Sequence, residues 1–97
     1  MITHVVLLAL NDPADRDEAV ARLSALPQSI PEIATLQVGV DTEATDGASD
    51  IVLITTHDDS SSLKAYQSHT VHQEFLSWLR PKLASRAVVD TNSLNSI

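Results

Sequence analysis

The chain has 97 residues, 43% of them apolar and 20% charged, with two Gly and four Pro, the proportions of one globular domain over residues 1–97 rather than of a disordered or fibrous chain. Thirteen Asp and Glu against six Lys and Arg leave a formal charge of −7, the wrong sign for neutralising phosphates, so neither nucleic acid nor an anionic membrane is expected as a partner. No cysteine is present, which removes disulfides, thiolate metal sites and Cys nucleophiles; the apolar opening lacks the basic flank of a signal peptide and the length of a membrane span, so a cytoplasmic location is expected.

Residues 2–10 carry Ile2, Val5, Val6, Leu7, Leu8, Ala9 and Leu10, interrupted only by Thr3 and His4, and predict a strand apolar on both faces. Asp12 can cap a helix that starts at Pro13, where a missing N–H costs nothing, and Ala19, Val20, Leu23 and Leu26 form its apolar stripe. Beyond Pro27 and Pro31, Leu36, Val38 and Val40 alternate with Thr35, Gln37 and Gly39 as a second strand. The polar stretch 41–50, with Gly47 as its turn residue, is a hairpin loop that leads into a third strand over 51–56. His57 reads as an exposed residue at the end of that strand.

Asp58, Asp59 and three serines offer N-caps for a helix bearing Leu63 and Tyr66. Thr70-Val71-His72-Gln73 has capping-box spacing, so the helix is expected to break and restart with Thr70 as cap. Phe75, Leu76, Leu79 and Leu83 line the next stretch, which Pro81 ends or kinks, and 87–91 forms a fourth strand. The order β-α-β-β-α-β predicts an α+β, ferredoxin-like fold: a four-stranded antiparallel sheet with two helices on one face.

That arrangement leaves the other face of the sheet open, yet the first and third strands place Val, Leu and Ile on both sides. Covering each such side chain is worth roughly 1.5 to 3 kcal/mol. A homodimer joined through the sheet faces is therefore expected, giving a dimeric α+β barrel.

Tyr66-Gln67-Ser68-His69-Thr70-Val71-His72, the opening Ile2-Thr3-His4-Val5-Val6 and the closing Val88-Val89-Asp90 together resemble the stress-responsive dimeric A/B barrel (Dabb) family over nearly the whole chain. The family hallmark is a Tyr, two residues, then His-Pro-x-His; Thr70 stands here for the usual Pro, and both residue types suit a helix start. The resemblance implies ferredoxin-like subunits paired sheet to sheet around a cavity. Activity is uneven within the family, and a plant member is a polyketide cyclase. Its catalytic pair resembles Tyr66 and His72, and a further cavity His resembles His4; a second cavity His falls at or beside Asp50, where this chain has no His.

In the first helical turn, His72 meets the positive end of the helix dipole, which favours the neutral imidazole that a general base needs near neutral pH. Its other role is a buried ring bonded to backbone at a helix start. Tyr66 can converge on His72 only because the helix breaks between them, and its hydroxyl could hold a substrate carbonyl; otherwise it is a core ring. His4 shares a strand face with Val6, Leu8 and Leu10 and is expected, with His69, at the ligand cavity. His69 and His72 share the spacing of a metal pair, but no third ligand is placed and no metal site is expected. Isolated Gly39 and Gly47 make no phosphate loop, and no cofactor is expected. The expected function is a dimer that takes a small apolar or aromatic ligand and performs cofactor-free acid–base chemistry of cyclase or lyase type; the alternative is a non-enzymatic structural or binding module.

Overall fold

The computed structural model describes residues 1–92 and 94; residues 93 and 95–97 of the tail lie outside the described residues. The strands are β1 (Ile2–Leu10), β2 (Thr35–Val40), β3 (Ile51–His57) and β4 (Leu83–Thr91), and the helices are α1 (Arg16–Ala25), α2 (Ser60–Ser68) and α3 (Thr70–Leu79). All strand pairs are antiparallel, in the order β2-β3-β1-β4. This is the expected ferredoxin-like sheet, with the second helix of the pattern split in two.

Local chemistry accounts for the boundaries. Asp12 accepts a 2.9 Å bond from Ala14 N at a short 3-10 turn, Pro13–Asp15, from which α1 continues, so the α-helix proper begins later than Pro13. Asp59 caps α2 through Ser62 N at 2.8 Å. His69 takes an extended backbone, φ −61° and ψ 138°, and its Nδ1 accepts from Val71 N at 3.1 Å. The cap of α3 is therefore His69, and Thr70 is the first helical residue. An imidazole nitrogen reaches the same exposed amide that a hydroxyl would, which places the cap one residue before its expected position.

Period-two alternation divides the sheet cleanly. His4, Val6 and Leu8 of β1 pair with Thr55, Leu53 and Ile51 of β3, and all six are buried beneath the helices. The core continues through Ala19, Leu23 and Leu26 to Ile30, with Phe75 and Leu79 supplied by α3. Arg22 of α1 and Lys82 beyond α3 sit over the Trp78 ring at 4.4 and 4.7 Å, a cation–π clamp between the helices.

The opposite face presents Val5, Leu7 and Ala9 with Val52 and Ile54 on one side and Ala87 and Val89 on the other. Its remaining residues are Thr3, Thr35, Gln37, Gly39, Thr56, Ser85 and Thr91, so among the described residues the open face carries no charge. Leu7 is 41% exposed and Val89 63%.

Two strand ends differ from expectation. β3 runs one residue further, to His57, and β4 starts at Leu83 rather than at 87. Ser85 and Arg86 look unlike strand residues, but β4 is an edge strand exposed on both faces, where polar side chains are tolerated.

Candidate functional site

The break at His69 turns α3 back so that residues 66 and 72, on different helices, meet over β1. Tyr66 is buried, and its ring lies 4.5 Å from that of His72 and 4.9 Å from that of His57, centroid to centroid. His4 approaches the same ring edge-on at 6.0 Å, with a 70° angle between planes. One tyrosine and three imidazoles thus form a single cluster between the sheet and the helices.

Hydrogen bonding assigns a tautomer to each imidazole, because a carbonyl or carboxylate oxygen can only accept. His72 Nδ1–H donates to the Gln67 carbonyl at 3.0 Å, which leaves Nε2 as its basic atom. His4 Nδ1–H donates to the Asp90 carboxylate across the β1–β4 pair. His57 Nδ1–H donates to the Glu32 carbonyl at 2.8 Å and its Nε2 accepts from the Thr55 hydroxyl at 2.9 Å, so both of its nitrogens are engaged.

Burial acts in the same direction on the proton affinities. Desolvation lowers the pKa of His72 below the ordinary 6.5, against the Gln67 bond, and His4, Arg86 and Arg80 add to the lowering. His57 is lowered by the same cause. Burial raises Tyr66 to about 12, only partly offset by Arg86, so its phenol stays protonated and able to donate.

His4, Tyr66 and His72 share a cavity of about 20 Å³ with Val6, Leu8 and Arg86, room for roughly one water. Arg86 of the largely exposed strand β4 forms part of its wall. A larger, open depression of about 500 Å³ lies between the 41–50 loop and the sheet, lined by Leu7, Asp50 and Val52, and it contains none of the cluster.

Three of the four sequence-derived site residues, His4, Tyr66 and His72, are brought together. His69 is not; it caps α3 and lies outside the cavity wall. With its Nδ1 facing Val71 N, while His72 Nδ1 faces Gln67, the i, i+3 pair forms no common metal site, and no group of three metal-ligating side chains occurs among the described residues. Asp50 ties the hairpin to β1 instead of entering the cavity, its carboxylate accepting from Leu10 N at 2.7 Å.

His57 corrects the reading of an exposed strand end. It is fully buried because β3 keeps its alternation through Leu53 and Thr55, which carries residue 57 to the helix side beneath Tyr66. Parity with Leu53 was the available signal. Arg86 was missed because β4 was expected to start after it; it is aligned with Val88 and Asp90 on the helix-side face.

Known proteins share this fold. The sequence model of the stress responsive A/B barrel domain matches residues 2–93. Among curated proteins nothing matches. The chain superposes on a dimeric ferredoxin-like protein of unknown function from Thermobifida fusca with a TM-score of 0.82 and 31% identity, over 93% of this chain and 88% of that one. A dimeric ferredoxin-like protein from Bacteroides fragilis gives 0.77 and 27%, over 93% of each chain. A hydroxynitrile lyase from Passiflora edulis gives 0.84 at 14% identity, over 99% and 95%, a likeness of fold alone.

Proposed function

The chain belongs to the stress responsive A/B barrel domain family, and from that premise we propose that it is a homodimer, joined through its uncharged sheet face, in which each subunit moves a proton on a small, largely apolar ligand without a cofactor. His72 is the general base and Tyr66 the donor that holds the ligand's carbonyl. The observation that carries this reading is the pairing of a buried imidazole, proton-free at Nε2, with a phenol held protonated at about 12, both in one cavity wall. The proton taken up at His72 Nε2 is returned to the ligand from the same atom, and His4, oriented by Asp90, flanks the Tyr66 ring.

The apolar open face and the dimeric relatives support the homodimer. A hydroxynitrile lyase shares this fold, so the scaffold can accommodate an enzyme active site.

A second reading rests on the cavity's size, about 20 Å³. In a non-enzymatic module the cluster only fixes the break between α2 and α3. Solvent deuterium exchange at the α-carbon of small aromatic ketones, followed by NMR, separates the two. Proton transfer predicts exchange in the wild type and a loss of about 100-fold or more in His72→Ala. Equal exchange in both proteins overturns the role of His72, and exchange no faster than in buffer favours the module.

A further inference from the structure

Arg86 is the permanently charged side chain of the cavity wall, and the protein leaves that charge unmet. Among the described residues it makes no hydrogen bond and no ion pair. Lys64 and Arg80 likewise have no such partner among the described residues, but neither lines the cavity. Arg16 pairs with Asp17 at 3.8 Å, Arg22 bonds Glu18 at 3.2 Å, and Lys82 lies on the Trp78 ring. Asp90, the carboxylate nearest in register on the same strand face, is taken by His4.

The position of Arg86 adds a direction. It pairs with Leu8 across β1 and β4, so it stands on the cavity side of the sheet, opposite the face that bears Leu7 and Val89. Dimerisation through that other face leaves it free. Its charge is felt at both Tyr66 and His72, and Arg80 adds to it at His72.

We propose that the ligand of this site is an organic carboxylate: its anionic group is held by the Arg86 guanidinium at the mouth, its apolar body lies outside the cavity beside Leu76, and its reacting carbon is presented to His72. The assignment rests on the proton-transfer reading above and adds the substrate class to it. A guanidinium matches a carboxylate with two parallel N–H···O bonds, a geometry that a neutral amide cannot reproduce. The body stays outside the water-sized cavity, on the exposed β4 side beside half-buried Leu76.

Phenylacetate and its neutral isostere phenylacetamide test the assignment by calorimetric titration of the intact protein. The wild type is expected to prefer the acid by about tenfold or more. Arg86→Gln is expected to bring the acid down to the amide's affinity while leaving the amide unchanged, and Arg16→Gln to keep the full preference. Raising salt is expected to weaken the acid alone. Equal binding of acid and amide to the wild type, or a preference that survives Arg86→Gln, overturns the anion assignment and leaves the cavity reading standing. No binding of either compound overturns both. Because Arg86 is exposed, a matching melting temperature confirms that the variant is folded.

Discussion

His4 on β1 and Asp90 on β4 meet across the sheet, ring nitrogen to carboxylate oxygen, although 86 positions separate them in the chain. The imidazole is buried and the carboxylate partly exposed, so water reaches one end of the pair and the cavity the other. Replacing Asp90 by Ala removes the acceptor that sets the His4 tautomer. We expect a stability loss of about 1 kcal/mol, modest because the carboxylate is partly solvated, and a mixed tautomer signature for His4 in 15N NMR of the ring. An unchanged ring spectrum would show that Asp90 does not hold the imidazole.

His57→Phe keeps a ring against Tyr66 while deleting both hydrogen bonds. The Glu32 carbonyl and the Thr55 hydroxyl are then left without that partner, which is expected to cost about 2 to 4 kcal/mol in urea unfolding. A cost below about 0.5 kcal/mol, the range of ordinary surface changes, contradicts a buried, doubly bonded imidazole.

Stability should fall on both sides of neutrality, for different groups. His57 and His72 have folded-state pKa values below 6.5, so under pH 6.5 the unfolded chain binds more protons and stability declines as pH falls toward the folded values. Tyr66 titrates near 12 when folded against 10.0 when free, so stability declines as pH rises from 10 to 12, by up to about 2 to 3 kcal/mol. Chemical denaturation across pH 5 to 11 reads both limbs, and a flat acid limb excludes the buried neutral imidazoles.

Leu7→Asp places a carboxylate in the middle of an open face that otherwise carries no charge. Leu7 is 41% exposed in the single subunit, so the variant should keep its fold and its circular dichroism. Light scattering should show a monomer where the parent is a dimer. A dimeric variant means that the subunits meet through another surface.

Much of this architecture can be read from alternation and caps. The two-faced β1 and β3 and the interruption after Tyr66 follow from local rules and hold; Asp12 caps the 3-10 turn that leads into α1, and of the candidates Asp58, Asp59 and three serines it is Asp59 that caps α2. His69 displaced Thr70 as cap because an imidazole reached the amide first, a contest between neighbours that pattern alone cannot decide. His57 and Arg86 failed for another reason. A strand end is set by its pairing partners, and the partner of residue 86, Leu8, is remote in sequence. The cluster of His4, Tyr66 and His72 was legible as a set of residues; the tautomers that give each ring its role appear only with Gln67, Asp90, Glu32 and Thr55 in place.

The exposed edge strand β4 divides the site into parts that can change at different rates. His4, Tyr66 and His72 are built into the packing of the core, so altering them disturbs the fold. Arg86 contributes to the same cavity from a largely exposed edge strand and can be exchanged with little structural penalty. Proteins sharing this scaffold can therefore vary the chemistry of the cavity mouth along one edge, while the buried ring cluster stays as it is.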